Sequence, residues 1–189
     1  SAARETGGAL ARAGLTVVSG LARGIDGEAH RGAVSAGGRH VAVLGCGLER
    51  ILPASNAELG RRILRAGGAL LSEQPPDEPP RKHHFPARNR IISGLCRAVV
   101  VVQAPERSGA LITVDFALEH NRDVFVHAAG LGGSRGAGGE ALAESGAPLV
   151  ASGAELLREL GVQEAAAAAG DGIGGQDGGA LERELEELD

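Results

Sequence analysis

One short window of the sequence combines the charges and the aromatic ring that binding to a polynucleotide requires. Residues 81 to 97 hold five Lys or Arg residues, two His and no acid, and Lys82 is the only lysine of the chain. Phe85 follows it in a proline-rich stretch, and Arg88 and Arg90 come next. Cations neutralise backbone phosphates, and an aromatic face stacks on a base that is free of a partner strand. The window predicts contact with an unpaired polynucleotide.

Each of these side chains also has a purely structural explanation. The ring of Phe85 can close its loop against the core. The two arginines can divide their roles, one facing solvent and the other pairing with a carboxylate such as Asp26 or Glu73. The sequence leaves these alternatives open.

Three glycine-containing loops, each following a predicted strand, form the second set of candidates. Glycine lets backbone N–H groups approach a phosphate closely, and the N-terminus of a following helix attracts anions. Arg23 adds a planar guanidinium suited to phosphate oxygens. A tight turn is the alternative for each loop, and a solvated side chain is the alternative for Arg23. The candidate binding residues in these loops are Gly20, Arg23, Gly24, Gly45, Gly47, Ser108 and Gly109.

No arrangement of residues for catalysis or metal binding is visible in the sequence. His30 follows Asp26 by four residues, which predicts a local contact on one helix face rather than a catalytic dyad. Cys46 and Cys96 lack the paired spacing of a zinc or redox motif and are interpreted as reduced thiols. No Walker loop and no Ser, His, Asp pattern occurs, so neither cofactor nor metal is expected.

Short apolar runs that alternate with helix-length segments supply the elements that must position these residues. This alternation predicts an α/β fold, with a mostly parallel, doubly wound, Rossmann-like sheet covered by helices on both faces. In such a sheet, loops at the carboxyl ends of the strands bind ligands. The predicted strands are Leu15 to Val18, Val41 to Leu44, Ala69 to Ser72, Ala98 to Val102, Val124 to Val126 and Pro148 to Val150.

Helix starts and one long loop are also predicted. Helices are expected from Ala2 to Ala13 and from Asp26 to Ala36, with Asp26 as N-cap. Ser-x-x-Glu capping boxes mark two further starts, Ser55 with Glu58 and Ser152 with Glu155. The stretch from Gln74 to Pro86 carries five prolines and is predicted to be irregular.

Charge and composition divide the chain of 189 residues. The net charge is −5, but residues from 155 onward carry −8 and the rest +3. We expect a core over residues 1–160, a Gly/Ala-rich flexible linker over 161–179, and the start of a helix or module over 180–189. No apolar run is long enough to span a membrane and no secretory signal is visible, so a cytoplasmic location is predicted.

Five strings in these regions stand out: S-G-L-A-R-G-I-D-G-E-A-H from Ser19, V-L-G-C-G-L from Val43, L-L-S-E from Leu70, K-H-H-F-P-A-R-N-R-I-I-S-G-L from Lys82 and S-G-A-L-I-T from Ser108. Together they resemble the DNA-processing protein A family, DprA or Smf. Their order and spacing match over residues 4–153. The resemblance implies an extended Rossmann fold and a dimeric, non-enzymatic protein. Such a protein binds single-stranded DNA and loads the RecA recombinase during natural transformation.

The resemblance also implies site residues and a missing element. The DNA pocket of the family falls on Arg23, Lys82 and Phe85, with Arg88, Arg90 and the glycine loops as neighbours. The family opens its Rossmann unit with a strand before a glycine-containing loop, and this sequence begins after it, so we expect a central strand to be absent.

Two classes of enzyme are alternatives to a DNA-binding protein, and one apolar stripe is a candidate interaction surface. A nucleotide-monophosphate phosphoribohydrolase of the related superfamily needs a Pro-Gly-Gly-x-Gly-Thr loop followed by Glu, where this chain has residues 108–113 followed by Asp115. A dinucleotide-dependent oxidoreductase needs a third glycine where Arg50 stands. The stripe Leu156, Leu157 and Leu160 is a candidate for self-association or recombinase docking, with packing on its own sheet as the alternative.

Overall fold

Helices and strands alternate along the chain. The computed structural model describes residues 1–162. Short, mainly apolar runs of two to five residues form the strands, and helices precede and follow them along the chain. In chain order the elements are α1 (Ala2–Arg12), β1 (Val17–Ser19), α2 (Ile25–Ser35), β2 (His40–Val43), α3 (Ala57–Arg65), β3 (Ala69–Leu71), α4 (His84–Leu95), β4 (Ala98–Val101), α5 (Gly109–Glu119), β5 (Asp123–His127), α6 (Gly133–Glu144), β6 (Leu149–Val150) and α7 (Gly153–Glu159).

The predicted fold class is confirmed, and all six predicted strands are present to within two residues at each end. The strands form two three-stranded sheets, in the orders β1-β2-β3 and β4-β5-β6. All four strand pairs are parallel, with Val18 opposite Val41 in the first sheet and Val100 opposite Phe125 in the second. Parallel pairing of consecutive strands requires a crossover helix between them, which explains the alternation.

Two of the predicted helix starts are wrong, because the side chains concerned are used elsewhere. Gly24, not Asp26, is the N-cap of α2. The hydroxyl of Ser55 accepts a hydrogen bond from Arg23 at 3.1 Å and caps no helix. The second capping box is confirmed at α7, where the hydroxyl of Ser152 accepts from the backbone N–H of Glu155 at 3.2 Å.

The proline-rich loop ends earlier than the sequence predicts. Helix α4 begins at His84 and therefore includes Pro86. A proline is tolerated there because the N–H groups of the first helical turn have no partner within the helix. The shorter loop brings Phe85 into the first turn of α4.

The core is built from aliphatic residues and from very close backbone contacts. Phe125 is the only one of the three phenylalanines that is buried. Leu156, Leu157 and Leu160 are also buried, so the alternative of packing on their own sheet holds. A Cβ at Gly32 would lie 2.1 Å from the carbonyl oxygen of Arg4, so α1 and α2 touch where only glycine fits.

The two cysteines, the possible metal ligands and the lengths of the helices were also assessed from the sequence. Cys46 and Cys96 are free thiols, as predicted. Burial raises the pKa of both, that of Cys96 to about 11. Within residues 1–162, no cluster of three His, Cys, Asp or Glu side chains is arranged to hold a metal ion, and no helix is long and apolar enough to cross a membrane. The predicted linker from residue 163 on and the segment 180–189 lie outside the described residues.

Candidate nucleic-acid interface

The first two turns of α4 join the three glycine loops at the carboxyl edge of the strands. The guanidinium of Arg88 donates to the carbonyl oxygens of Gly20, at 2.9 Å, and of Val43. Asn89 next to it donates to the carbonyl oxygen of Gly109 at 3.0 Å. The loops after β1 and β4 and the end of β2 are therefore fixed to one helix.

Arg88 holds this edge together from inside and has no free face for a DNA phosphate. Only 7% of the residue is exposed. A Cβ at Gly20 would lie 2.5 Å from its guanidinium, so this position requires glycine for the arginine to fit. Burial lowers the pKa of Arg88, and the nearby carboxylate of Asp26 opposes that effect. Its burial and its carbonyl partners favour a positioning role for Arg88 over the predicted direct contact with DNA.

The loop after β1 is closed on itself and leaves Arg23 projecting from it. The carboxylate of Asp26 accepts hydrogen bonds from the backbone N–H groups of Gly20 and Ala22, each at 3.1 Å. Leu21 has φ +58° with a fully buried side chain, and that burial offsets the cost of a left-handed leucine. The N–H of Gly20 is therefore engaged by Asp26, whereas Gly24 is exposed at the start of α2.

Asn56 is a residue of this site that the sequence did not reveal. Its side-chain amide is buried and donates to the carbonyl oxygens of Leu21 and Ala22, at 3.0 and 2.9 Å. It comes from the short 3-10 turn Ala54–Asn56, more than thirty residues from its partners. No local pattern links such distant segments.

The glycines of the loop after β2 make room for other parts of the chain. A Cβ at Gly47 would lie 2.1 Å from the carbonyl oxygen of Pro76, and its N–H donates to the carbonyl oxygen of Glu78 at 2.8 Å. A Cβ at Gly45 would lie 3.0 Å from the ring of Phe85. The missing side chain of Gly47 thus lets the proline-rich loop approach closely, and that of Gly45 lets the ring of Phe85 pack against the backbone.

The loop before α5 presents an open surface. The hydroxyl of Ser108 accepts from the N–H of Ala110 at 3.1 Å and so caps α5. No atom of the described residues lies within 4 Å of the position that a Cβ of Gly109 would take. Of the predicted glycines, Gly109 and Gly24 are the ones with open space beside them.

Two of the predicted cations lack an acidic partner. Arg90 forms an ion pair with Glu73, which confirms the alternative for that arginine. Arg23 and Lys82 are exposed, and neither forms an ion pair with any carboxylate of residues 1–162. Arg23 lies in the loop after β1, and Lys82 lies two residues before α4, which contacts that loop through Arg88.

The ring of Phe85 is half exposed. It packs on Gly45 with one part and keeps 45% of its surface accessible. The ring therefore contacts the loop after β2 and is also accessible from solvent.

We expect Phe85→Ala to weaken binding of an oligo-dT by about 1 to 3 kcal/mol, because a base then loses its stacking surface. Fluorescence anisotropy with a labelled oligonucleotide measures this change. Phe85→Tyr keeps the ring and is the matched control. Unchanged affinity in Phe85→Ala together with a lowered melting temperature would leave the ring with the anchoring role alone.

His30 lies inside the fold and not at the interface. It is fully buried, and neither ring nitrogen has a hydrogen-bond partner in the described part of the chain, so the predicted contact with Asp26 is not formed as a hydrogen bond. Its ring lies edge-on to that of His40, with centroids 6.3 Å apart.

A family model, a relative by sequence and a solved structure all relate this chain to the same family. A family model described as DNA recombination-mediator protein A matches residues 1–161. Protein Smf of Escherichia coli K12 is 48% identical over 151 residues, which are 80% of this chain and 40% of that protein. The crystal structure of DNA processing protein A from Streptococcus pneumoniae has a TM-score of 0.75 at 43% identity, covering 84% of this chain and 55% of that one.

A second similar structure is that of a relative whose binding to single-stranded DNA is known. DNA processing protein A of Helicobacter pylori, whose single-stranded DNA binding mode has been studied structurally, has a TM-score of 0.73 at 28% identity. The match covers 84% of this chain and 71% of that one. The chain spans about 40 to 50% of the length of the curated relatives from Escherichia coli and Streptococcus pneumoniae.

Proposed function

The chain belongs to the DNA recombination-mediator protein A family, and on that premise we propose that it binds and protects single-stranded DNA in the cytoplasm and delivers it to the RecA recombinase. The task is natural transformation or another form of recombination. The protein acts as a homodimer and as a binder, with no catalytic step.

One observation carries the proposal of DNA binding. Arg23 and Lys82 are exposed cations without an ion-pair partner among residues 1–162, and Phe85 in the first turn of α4 is a half-exposed aromatic ring. In the proposed site all three contact the same strand of DNA. Phosphates and a base are the groups that such a surface fits. A duplex would present its phosphates there but not a free base face, so an unpaired strand is favoured.

The binding mode follows from which groups remain available. Arg23 and Lys82 neutralise backbone phosphates, and Phe85 stacks on one base. Gly24 and Gly109 leave open space at the N-termini of α2 and α5, where unpaired N–H groups attract a further phosphate. None of these contacts reads a base edge, so we expect little sequence preference.

Salt dependence tests this assignment. For three or four phosphate contacts, log affinity for oligo-dT falls against log salt with a slope of about −2 to −3. Each lost contact makes the slope less steep by about 0.7, so Arg23→Ala combined with Lys82→Ala makes it less steep by about 1.4. Anisotropy titrations at several salt concentrations measure the slope.

Arg12 provides the matched control for lost charge. It is exposed at the end of α1, and the chain then enters β1, so it lies toward the amino edge of the strands. We expect Arg12→Ala to keep the slope of the unmodified protein. An unchanged slope in the double variant would remove the two cations from the proposed site.

The remaining parts of the proposal have separate tests. Light scattering on the full chain determines whether it is a dimer. A RecA filament assay on coated single strands tests delivery. Release of free adenine from AMP would instead support the phosphoribohydrolase alternative.

A further inference from the structure

Two further exposed cations lie after β4 and after β5. Arg107 is in the loop that follows β4, and Arg135 is in the first turn of α6, the helix that follows β5. Neither forms an ion pair with a carboxylate of residues 1–162. Because β4 and β5 are neighbouring parallel strands, the segments after them begin at the same edge of the sheet. The contacts of the proposed function include neither arginine.

Helix α6 holds these two segments against each other. The N–H of Gly138 donates to the carbonyl oxygen of Ala104 at 2.9 Å, and a Cβ at Gly138 would lie 2.8 Å from the carbonyl oxygen of Pro105. Arg135 precedes Gly138 by three residues and therefore shares its face of the helix. Arg107 follows Pro105 by two residues. The two guanidinium groups thus belong to segments that are in direct contact.

The start of α4 connects this pair of arginines to the proposed DNA site. Two adjacent residues of α4, Arg88 and Asn89, donate to carbonyl oxygens of the loops after β1 and after β4. The acceptor of Asn89 is Gly109, which has open space beside it and stands two residues after Arg107. A strand that stacks on Phe85 in the first turn of α4 can therefore pass over Gly109 to Arg107.

The opposite direction, past the loop after β2, carries more negative charge. The N–H of Glu49 donates to the carbonyl oxygen of Pro76 at 3.0 Å, so the segments that hold Glu49 and Asp77 touch. Both carboxylates are exposed, as is Arg50, and none of the three is in an ion pair within residues 1–162. Two negative charges against one positive charge repel a phosphate. The side of β4 and β5 is therefore favoured.

We propose that the bound single strand continues from Phe85 over Gly109, and that Arg107 and Arg135 neutralise two further phosphates. This inference rests on the proposed function and extends its site over the segments after β4 and β5. The exposed carboxylate of Glu106, directly before Arg107, belongs to the same segment and opposes binding there. A long strand meets all three of these charges, whereas a short strand occupies only the surface around Phe85, where a base stacks.

Salt titrations of the full chain with two probe lengths test this extension. The probes are labelled oligo-dT of about 4 and about 12 nucleotides, which span the site sizes of many single-strand binders. With the longer probe, we expect Arg107→Ala combined with Arg135→Ala to make the slope of log affinity against log salt less steep by about 1.4. With the shorter probe, we expect the slope of the unmodified protein.

The matched control removes two cations from the other edge. Arg12 and Arg97 are exposed, lie before β1 and before β4, and form no ion pair within the described part of the chain. Arg12→Ala combined with Arg97→Ala changes the net charge by the same amount. We expect it to leave both slopes unchanged.

Removal of the acid gives a change of opposite sign, which a folding defect does not produce. We expect Glu106→Gln to tighten binding of the longer probe about threefold at low salt, because repulsion between two exposed unit charges a few ångströms apart is lost. Glu144→Gln, at the exposed end of α6 before β6, is the control and is expected to have no effect.

Equal losses with both probe lengths in the Arg107 and Arg135 double variant would place these arginines in the site around Phe85 and overturn the extension. Unchanged slopes in that variant, or unchanged affinity in Glu106→Gln, would overturn it as well. Failure of the unmodified protein to bind either probe is a different result, which would remove the proposed function and the extension with it.

Discussion

Replacing Arg88 with methionine is expected to lower the free energy of unfolding by about 2 to 5 kcal/mol. The guanidinium is buried and donates to the carbonyl oxygens of Gly20 and Val43. Methionine fills much of the volume but leaves both buried carbonyls unpaired, each at a cost of about 1 to 3 kcal/mol. Urea denaturation at neutral pH, with the m-value compared between variants, measures the change.

Arg90 gives the matched control on the same helix. Its ion pair with Glu73 is exposed, with half of the arginine side chain accessible, so Arg90→Met is expected to cost less than about 1 kcal/mol. Arg88→Met is also expected to weaken DNA binding, because the loop that carries Arg23 loses its anchor at Gly20. Equal stabilities of the two variants would show that Arg88 does not hold the edge together.

The second large effect is a loss of stability in mild acid that comes from His30. Burial lowers the pKa of His30 to about 4, and the neighbouring Asp26 carboxylate opposes this shift only in part. The ordinary pKa of histidine is about 6.5, so between these values the unfolded chain binds a proton that the folded protein does not. The stabilising effect of the neutral ring is complete above about pH 6.5. It is lost as the pH falls toward 4, by about 3 kcal/mol in total.

Chemical denaturation at a series of pH values measures this loss, and His30→Leu is the informative variant. Leucine cannot take up a proton, so we expect its stability to vary much less between pH 6.5 and 4. Burial alone would raise the pKa of Glu28, but Ser1, Arg4 and Arg31 lower it below its ordinary value of 4.5. The stability that this carboxylate contributes is complete above about pH 4.5 and is lost only below that value. A variant as sensitive as the unmodified protein over this range would assign the loss to other groups.

The fold class was predictable because the strands come from short, mainly aliphatic runs that alternate with helix-length segments. One example is the aliphatic run Val41, Ala42 and Val43, which predicts a strand covered by helices on both faces. The structure places these residues in β2. Helix starts were less predictable. Asp26 and Ser55 have the residue types of N-caps, but their oxygens accept hydrogen bonds from Gly20, Ala22 and Arg23 instead.

The amino-acid sequence by itself determined the parallel α/β architecture, the family, and the grouping of Arg23, Lys82 and Phe85 as candidates for one surface. Only the tertiary structure decided the environment of each cation. Arg88 is buried, Arg90 is paired with Glu73, and Arg23 and Lys82 have no ion-pair partner among residues 1–162. The physical reason is that burial and pairing depend on residues far apart in the chain, such as Gly20 and Arg88, which local patterns do not connect.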